Sequence, residues 1–576
     1  MAVSRRDLLK LLALGGVFSA FNPKRAFAHM MQAEAKDFYD IPAFGNVSLL
    51  HTADIHAHMR PHYFMDPPNL LAPINLADKP GYLFGQGLMN YYGVESGSLM
   101  QYMTSAVDFA SLAQKYGKMG GCAEITSLIK QQRALLGEER CLTLDGGDTW
   151  TNTGISLLTK GQLPVDWMNL TGYDHMVAHW EFTLGRERFE DLIDQLEAHF
   201  ISHNVVDELF NEPLYDPYAI HEVGGASIGI IGATFPYVKV SHPQSFTPEL
   251  SFGVREQYLQ RYVDEIREQG VDAVILLSHH GFPLDIALAQ QLKGIDVILT
   301  SHTHDVTLEP YQVGETKIIS SGSSGKFVAR LDLDVGGGKV RDVKLNMLPV
   351  LSDMLSPDPD AKALIDAAYA EHESVLSEKL GVAGSLIYKR DSVFSSFDRL
   401  AGMAVKAAYP QVDVAFSPAY RWGTTLIPGQ EITMEQVLDF TGITYPELYL
   451  FKMKGERLKQ VMEDIAENVF QPNPFYQQGG DMSRLFGASY DLIVNGKQGE
   501  RIRNMKITGY DLDPNKDYVL ASYGGNLQNA GELLDIEPRP VYEVIADYIR
   551  QVGTVDIDTR PNVSVLDADY QMIEEL

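Results

Sequence analysis

The sequence is poor in cysteine, with only Cys122 and Cys141 among its 576 residues. Two thiols are too few for a structural zinc site built on four sulfur ligands, so that class of metal centre is excluded. In an oxidising compartment the two cysteines could form one disulfide. Buried free thiols are an equally good interpretation, because Cys122 follows two glycines and Cys141 opens a predicted strand.

Positive charge is also scarce, since 47 Lys and Arg residues face 76 Asp and Glu residues and leave a formal net charge of −29. A surface this acidic repels phosphate backbones and anionic membranes, which argues against nucleic acid as a partner. An anionic substrate would therefore need a locally positive site, and a bound metal ion can supply one. Hydrophobic residues still make up 45% of the chain, as in folded globular proteins.

Long apolar runs are missing outside the N-terminus, so the mature chain has no predicted membrane span. The N-terminus combines Arg5-Arg6 with a short apolar run and an Ala26-Phe27-Ala28 cleavage site. This pattern predicts a twin-arginine signal peptide over residues 1–28 and a periplasmic protein without a membrane anchor. The alternative, an anchoring helix, is disfavoured because the run is short and contains two glycines.

The remaining chain divides into two regions joined by a linker. Short apolar strands alternate with amphipathic helices over residues 45–350, a pattern typical of a layered α/β domain. Residues 351–380 carry a Pro- and Asp-rich start and a helix, which predicts a linker, and residues 381–570 have strands and helices of their own. The aromatic-rich stretch 59–119 is either a lid beside a site or an embellishment with its own small core.

Five short polar motifs follow predicted strands of the first region. An Asp-x-His or His-x-His spacing turns both side chains to the same side of an extended segment. Imidazole and carboxylate together suit Mn, Fe, Zn or Co. Nine of the 16 histidines lie in or near these motifs. The motifs therefore predict a two-metal cage whose seven ligands are Asp54, His56, Asp148, His179, His279, His302 and His304.

The same motifs resemble the signature of the binuclear metallophosphoesterases. The matching stretches are Asp54-x-His56, Gly147-Asp148, Ser278-His279 and Ser301-His302-Thr303-His304-Asp305. Residues 325–332 and the separate C-terminal region are similar to the 5′-nucleotidase-like branch of that family. The resemblance implies a four-layer α-β-β-α catalytic domain followed by a separate α+β domain that contacts the substrate. It also implies two divalent ions, expected to be manganese, one held by Asp54, His56 and His304, the other by His279 and His302, and both by the bridging Asp148.

One stretch departs from that family. Where the family expects Gly-Asn-His-Glu-x-Asp-like residues, this chain has residues 178–183, reading Ala-His-Trp-Glu-Phe-Thr. His179 takes the place of the ligand Asn, Trp180 that of the catalytic His, and Thr183 that of its Asp partner. The acid/base pair that helps an alkoxide leave a phosphate ester is thereby replaced. The change favours a leaving group that departs without a proton, and a perthiolate is such a group.

The chain resembles the thiosulfohydrolases of the periplasmic sulfur-oxidation system more closely still, through residues 179–183, 418–423 and 477–482. That resemblance implies hydrolysis of a cysteine S-thiosulfonate on a SoxYZ-type carrier protein, with metal-bound hydroxide as nucleophile and sulfate as product. The catalytic residues that follow are Asp148, His179, Trp180 and Arg421. The expected substrate contacts are Trp180, Arg421, Gly479, Gly480 and Asp481.

Other interpretations stand beside these assignments. Trp180 could simply pack in a core, Arg421 could form a surface ion pair, and residues 479–481 could be a tight turn. The alternative enzyme is a periplasmic 5′-nucleotidase or cyclic-nucleotide phosphodiesterase, although residues 523–530 depart from the turn that helps form the nucleoside pocket in nucleotidases. A third hypothesis is a non-catalytic metal-binding scaffold.

Overall fold

The computed structural model describes residues 39–477, 480–525 and 527–573. The predicted signal peptide, residues 1–28, and Gly479 lie outside these ranges. Within the described ranges, no helix is both long enough and apolar enough to cross a membrane. Cys122 and Cys141 are both buried free thiols, so they do not form the disulfide that the sequence left open.

The first region, up to residue 350, alternates strands and helices. Its strands are β1 (Val47–Thr52), β2 (Cys141–Asp145), β3 (His175–Met176), β4 (His199–Phe200), β5 (Val206–Asp207), β6 (Tyr218–Val223), β7 (Ala226–Ala233), β8 (Leu250–Ser251), β9 (Ala273–Ser278), β10 (Val297–Thr300), β11 (Tyr311–Val313), β12 (Thr316–Ser320), β13 (Phe327–Val335) and β14 (Val340–Pro349). Its helices are α1 (Gly85–Tyr92), α2 (Leu99–Thr104), α3 (Phe109–Tyr116), α4 (Cys122–Leu136), α5 (Gly154–Thr159), α6 (Gln162–Thr171), α7 (Arg186–Ile193), α8 (Val238–Ser241), α9 (Glu256–Glu268) and α10 (Phe282–Gln291). Short 3₁₀ helices cover Glu138–Arg140, Trp180–Leu184 and Gln244–Phe246.

Two six-stranded sheets form the centre of this region. Their strand orders are β14-β13-β1-β2-β3-β4 and β11-β12-β10-β9-β7-β6. The parallel strands β1 and β2 pair Thr52 with Asp145, and the parallel strands β9 and β10 pair Ser278 with Thr300. The carboxyl ends of these strands therefore finish level with each other, so the loops that follow them can meet.

Successive residues of the central strands face opposite sides, as a two-residue period requires. Ile230 of β7 and Leu277 of β9 share a buried cluster with Leu49 of β1, which belongs to the other sheet. Their neighbours Ile231 and Leu276 share a different cluster with α9 and α10. On the far side of the first sheet, α4 packs against β2 and β13. The layers therefore run helix, sheet, sheet, helix, which confirms the predicted four-layer α-β-β-α fold.

The second region begins after the connecting helix α11 (Pro359–Leu376). Its strands are β15 (Lys379–Ala383), β16 (Val414–Ser417), β17 (Glu431–Thr433), β18 (Glu447–Lys454), β19 (Arg484–Phe486), β20 (Ala488–Leu492), β21 (Ile502–Ile507), β22 (Tyr510–Asp511), β23 (Asp517–Ser522), β24 (Glu532–Leu533), β25 (Arg539–Pro540), β26 (Thr554–Val555) and β27 (Val563–Val565). Its helices are α12 (Ser396–Ala408), α13 (Met434–Thr441), α14 (Gly455–Val469) and α15 (Val541–Val552), with a 3₁₀ turn over Leu527–Ala530.

Three sheets organise this second region, with strand orders β19-β16-β23-β18-β24, β22-β21-β20-β27 and β17-β15-β26, while β25 also pairs with β18. Most of these pairs are antiparallel, and the helices pack around them in the α+β arrangement that was predicted. Phe451, Leu458 and Leu520 belong to a separate buried cluster of this region. The domain limits at residues 45–350, 351–380 and 381–570 remain predictions.

The aromatic-rich stretch, residues 59–119, bridges the two regions. The Tyr102 ring of its helices lies 5.4 Å from Phe109 and 5.7 Å from Tyr116, and all three rings belong to the buried cluster that also contains Leu49 of β1. The Asn69 amide donates to the Asp391 carboxylate at 2.8 Å, and the Leu71 N–H donates to the Ser392 hydroxyl at 2.7 Å. The stretch is therefore packed into the core of the first region and attached to the second region by hydrogen bonds.

Candidate metal centre and substrate cleft

All seven predicted ligands lie in loops that directly follow strands of the two sheets. The loops after β1, β2, β3, β9 and β10 carry, in that order, Asp54 with His56, Asp148, His179, His279, and His302 with His304. Five of the seven adopt the positive φ that non-glycine residues rarely take, at 51° for Asp54, 51° for His56, 57° for Asp148, 73° for His302 and 64° for His304. Such strained conformations cluster at functional sites, where the surrounding structure enforces them.

Backbone hydrogen bonds hold these loops against each other. The His56 N–H donates to the Asp148 carbonyl at 2.7 Å, and the Asp54 N–H donates to the Gly147 carbonyl at 2.9 Å. The His302 N–H, from the second sheet, donates to the Asp54 carboxylate at 3.1 Å. The ligand loops of both sheets are thus fixed in one arrangement by the protein itself.

The side chains form two clusters that share Asp148. Four ligand atoms, one from each residue, lie within 4.8 Å of one another in each cluster, the first being Asp148, His179, His279 and His302 and the second Asp54, His56, Asp148 and His304. The Asp148 Oδ2 atom lies 3.3 Å from His179 Nδ1, 3.2 Å from His279 Nε2 and 3.9 Å from His56 Nε2. His304 Nε2 lies 3.4 Å from Asp54 Oδ1. One carboxylate therefore stands between two sets of donors.

The outward-facing nitrogens of two histidines are occupied. His56 Nδ1 lies 2.9 Å from the Asn152 side-chain oxygen, and His279 Nδ1 lies 2.5 Å from the Gly146 carbonyl. Each contact favours a proton on Nδ1 and leaves a lone pair on Nε2, which is the atom that faces the cluster. Partners of this kind orient metal-binding imidazoles in many metalloproteins.

The charges of the cluster fit divalent cations. Burial raises the pKa of Asp54 well above its usual range, while burial lowers the pKa values of His302 and His304 well below theirs. Burial also acts to raise the pKa of Asp148, but the His179 and His279 imidazoles hold it well below its usual range. Buried His302 Nε2 and His179 Nδ1 make no hydrogen bond within the described residues. Burial acts to lower the pKa of His279, but Asp148 and Asp54 raise it to about 10. The carboxylates therefore attract positive charge to the site, and imidazole with carboxylate is a donor set that suits a divalent transition metal.

Trp180 borders the shared carboxylate. Its backbone N–H donates to Asp148 Oδ1 at 2.6 Å, and its ring lies 4.7 Å from Trp422 and 5.4 Å from Tyr420, both edge to face. Tyr420 and Trp422 stack on each other at 4.1 Å. The Thr183 hydroxyl bonds Thr444 at 3.0 Å. The rings of Trp180, Tyr420 and Trp422 therefore form an aromatic wall at the cluster.

A cleft of about 210 Å³ opens over the clusters. The residues that border it include Trp180, Tyr237, His302, Arg421, Gly480 and Asp481. Arg421 Nη1 donates to the His302 carbonyl at 3.1 Å, while its Nε is buried without a hydrogen bond among the described residues. The predicted site residues within the described ranges thus line this cleft, except for Asp54 and His279, which belong to the clusters without bordering the cleft. Gly479 lies outside those ranges.

The loop at the rim of the cleft has defined geometry. Gly480 has a φ of 103°, and no atom of the described residues lies within 4 Å of the Cβ that another residue would carry there. Asp481 is buried and lies 3.5 Å from the Arg484 guanidinium. The backbone at Gly480 is therefore open to a ligand, whereas the carboxylate of Asp481 is partly engaged by a neighbouring cation.

Arg390 is a residue of the site that the sequence analysis missed. Its buried guanidinium donates from Nη2 to the Thr303 carbonyl at 2.7 Å, between two predicted ligands. It also borders a small cavity of about 20 Å³ together with His304 and Asp305. Arg390 lies in the charged stretch Lys389-Arg390-Asp391, which resembles an exposed surface segment in sequence, so no local signal distinguishes it.

Histidines beside the motifs have structural contacts instead. The rings of His58 and His62 stack at 4.0 Å, and His175 Nε2 lies 2.6 Å from His221 Nε2 at the edge of the sandwich. His203 Nδ1 lies 2.8 Å from the Gly232 carbonyl. His58, His175 and His203 are therefore not members of the two clusters. The number of histidines in or near the motifs is larger than the number of candidate ligands.

The comparisons with known proteins agree with this geometry. Residues 391–535 match the C-terminal domain family of 5′-nucleotidases. The sulfate thiohydrolase SoxB of Thermus thermophilus, solved in complex with glycerol, is 50% identical, with a TM-score of 0.92 over 93% of this chain and 99% of that one. Protein UshA of Yersinia enterocolitica is 24% identical over 508 residues, which are 77% of this chain and 88% of UshA. A 5′-nucleotidase precursor from Thermus thermophilus is 20% identical, with a TM-score of 0.71 over 91% of this chain and 100% of that one, and shows the same fold.

Two packed sheets with histidine and carboxylate clusters at their strand ends, followed by a 5′-nucleotidase-type domain, define a hydrolase of the 5′-nucleotidase-like metallophosphoesterase class. Within that class, identity to SoxB over nearly the whole of both chains shows that this chain belongs to the SoxB family.

Proposed function

We propose that this hydrolase cleaves the terminal sulfonate from a cysteine S-thiosulfonate on a carrier protein and releases sulfate. One observation carries the proposal: the Trp180 indole lines the cleft 5.3 Å from the His179 ring, at the sequence position where the family resemblance leads us to expect a catalytic imidazole. An indole N–H does not act as a general acid near neutral pH, so the site suits a leaving group that needs no proton. The 50% identity to SoxB supports the same substrate class.

The seven clustered side chains are proposed to hold two divalent ions, with manganese as the expected metal. Such ions supply Lewis acidity and an activated water as nucleophile. Asp148 and His179 belong to the proposed catalytic set because they are members of the clusters and also line the cleft. Backbone hydrogen bonds from Asp54 and His56 to the Asp148 loop hold these ligands in their positive-φ conformations.

Arg421 is proposed to bind the sulfonate oxygens. Its Nη1 is held by the His302 carbonyl at 3.1 Å, which fixes the guanidinium at the edge of the metal clusters. Its remaining N–H groups are available to an anion, and arginine binds such groups through paired, charge-assisted hydrogen bonds. In a buried cleft these donors are aimed at the negative charge that grows during attack, which lowers the barrier.

The proposed reaction is balanced without an acid catalyst. The oxygen of water bonds to the sulfonate sulfur, the S–S bond to that sulfur breaks, and its electron pair leaves on the carrier as a persulfide. Two protons from water pass to solvent, and sulfate is the second product. Trp180, Tyr420 and Trp422, whose rings contact one another, form an apolar wall beside the departing sulfur.

A substrate tethered to a carrier must reach the clusters through the mouth of the cleft. We propose that Gly479, Gly480 and Asp481 contact the carrier segment, because the open space at Gly480 lets another backbone approach closely. The expected partner is a SoxYZ-type carrier in the periplasm, reached by twin-arginine export of the folded enzyme. The Arg5-Arg6 pattern of the N-terminus supports that route.

Sulfate release from a thiosulfonate-loaded carrier tests the proposal directly. We expect stoichiometric sulfate, a persulfide on the carrier, and two metal ions per chain in the same sample. AMP and bis-p-nitrophenyl phosphate serve as comparison substrates and should be turned over poorly. Efficient AMP hydrolysis without sulfate release would instead establish the alternative, a 5′-nucleotidase or cyclic-nucleotide phosphodiesterase, which the match of residues 391–535 favours.

A further inference from the structure

The His179 ring is oriented by a contact that differs from those of the other ligands. His179 Nε2 lies 3.3 Å from the Ser241 hydroxyl, on the side away from the clusters. The same hydroxyl lies 2.8 Å from His242 Nδ1 and 3.2 Å from the Val238 carbonyl. His179 Nδ1 faces inward, 3.3 Å from Asp148 Oδ2. A chain of contacts therefore runs from His242 through Ser241 to the ring nitrogen opposite the candidate metal ligand atom.

We propose that Ser241 and His242 are positioning residues that fix the orientation and tautomer of His179, so that Nδ1 is the atom that binds a metal ion. This inference rests on the proposed two-metal centre and concerns the ligand that replaces the family's Asn. Neither residue belongs to the strand-end motifs, and neither touches the reacting atoms in this assignment.

The count of donors and acceptors supports the assignment. A metal ion on Nδ1 requires the proton of neutral His179 on Nε2, where it can be donated to the Ser241 oxygen. The Ser241 hydroxyl then donates its own hydrogen to His242 Nδ1 or to the Val238 carbonyl. If the hydroxyl donates to the Val238 carbonyl, His242 Nδ1 donates to the hydroxyl, and the buried His242 Nε2, which makes no hydrogen bond among the described residues, carries the lone pair. Partners of this kind commonly fix a ligating imidazole.

Packing holds His179, Ser241 and His242 in these positions. Phe235 covers one face of the His179 ring at 4.0 Å, and the His242 ring packs on Trp180 at 4.4 Å. The short helix α8 ends where the His242 N–H donates to the Val238 carbonyl at 3.0 Å. Val238 and His242 are both buried, so the helix turn that presents Ser241 is anchored at both ends.

The test compares variants that remove a hydrogen-bonding group with variants that keep one. Ser241→Ala removes the hydroxyl, and Ser241→Thr retains it. His242→Phe retains a ring against Trp180, and His242→Asn retains a polar group near the position of Nδ1. We expect Ser241→Ala and His242→Phe to weaken binding of one Mn²⁺ ion by about 10- to 100-fold. Ser241→Thr and His242→Asn should bind much closer to wild type.

The readout is Mn²⁺ affinity and stoichiometry, measured by titration and by electron paramagnetic resonance of the bound ions. A second measurement introduces Ser241→Ala into a His179→Asn background, where the amide ligand has no ring nitrogen for Ser241 to hold. There the Ser241→Ala change should have no further effect on affinity. If any variant fails to fold, the Ser241→Thr and Ser241→Ala pair alone decides.

The outcomes separate this inference from the proposed function. If wild type binds fewer than two ions, the proposed metal centre is wrong. If wild type binds two ions and Ser241→Ala does the same with unchanged affinity, only the positioning role is wrong. An equal loss from Ser241→Ala in the wild-type and His179→Asn backgrounds would also overturn that role, because the effect would not pass through the ring.

Discussion

The two regions of the chain contribute to the cleft in different ways. The first region carries all seven candidate ligands on loops that follow parallel strands, and five of them have a positive φ. The second region contributes Arg421 and its aromatic neighbours from an irregular segment that follows β16. Metal binding is thus assigned to the first region and sulfonate binding to the second, while Trp180 of the first region completes the aromatic wall. The difference implies that one can be damaged while the other stays intact.

Loss of the shared carboxylate should have the largest effect. Asp148→Asn removes the oxygen that both clusters use, so we expect the loss of bound metal and a fall in sulfate release of about 10³-fold or more. Metal analysis and carrier turnover measure the two effects. The surface change Asp366→Asn is the control and should alter neither. A variant that lost metal but kept its activity would favour the non-catalytic scaffold hypothesis.

A change in the second region should separate substrate binding from metal binding. Arg421→Met removes the proposed sulfonate donor, and we expect kcat/KM to fall by about 10²- to 10³-fold with both ions retained. Arg390→Met is a matched variant, because Arg390 also donates to the ligand loop but is not among the residues that border the main cleft. It should affect turnover less. Loss of metal from the Arg421 variant would contradict the separation of roles.

Restoring the family's acid/base pair should alter the choice of substrate. Trp180→His combined with Thr183→Asp places a proton donor beside the shared carboxylate. We expect the ratio of phosphoesterase to thiosulfonate activity to rise by about 10²-fold, the lower end of what general acid catalysis contributes. Activity on bis-p-nitrophenyl phosphate and on loaded carrier gives that ratio. An unchanged ratio in a folded, metal-loaded variant would count against the leaving-group argument.

The buried histidines of the first region should lower its stability in acid. Only His372 of the 16 histidines lies beyond residue 350. Burial, with His221 and His199 nearby, lowers the pKa of His175 to about 3, and burial lowers that of His203 to about 4. Below pH 6.5 the unfolded chain binds a proton at each of these histidines and the folded chain does not. The contribution of each histidine to the free energy of unfolding should therefore fall as the pH drops from 6.5 towards 4, by up to about 1.4 kcal/mol per pH unit. Asp145 and Asp285 contribute in the opposite sense, because burial raises their pKa values to about 7.

Urea unfolding at pH 7 and pH 5 checks this dependence. His175→Leu should reduce the difference between the two pH values, because it removes one group that is protonated only in the unfolded chain. The matched variant His372→Leu, on the connecting helix, should leave the difference unchanged. A pH dependence that His175→Leu does not alter would show that this buried imidazole is not its source.

The smallest effect is expected at the bridge between the regions. Asn69→Ala removes the amide that donates to Asp391 and to the Gln571 carbonyl, at 2.8 and 2.9 Å. The free energy of unfolding should decrease by about 1–3 kcal/mol, with both metal ions and Arg421-dependent activity retained. Gln86→Ala, within the same stretch but bonded only locally to Asn90, is the control. Equal losses from the two variants would argue against a bridging role.

The sequence predicted the first region well because its signals are local. Each strand places its following polar motif at a sheet edge, so Asp54, Asp148 and His302 could be expected to meet without knowledge of the loops. The four-layer fold followed from the same alternation and from the family resemblance. The positive φ at five ligands could not be predicted, since Asp and His carry no local requirement for that conformation.

The contribution of the second region was harder to predict. Arg390 reaches the ligand loop through a contact between residues 87 positions apart, and its neighbours in sequence indicate an exposed segment. The hydrogen bonds of the 59–119 stretch to Asp391 and Ser392 span more than 300 positions. Pairings at such separations depend on how the two regions dock, and composition or periodicity in a short window contains no information about that docking.

Each cluster draws its donors from both sheets. Asp148 and His179 come from the first sheet and His279 and His302 from the second, while His304 of the second sheet joins Asp54 and His56 of the first. A bound ion would therefore act as a cross-link through the sandwich, and its binding energy would add to the cohesion between layers that share no backbone ladder. Chelation should accordingly lower the melting temperature of the whole first region.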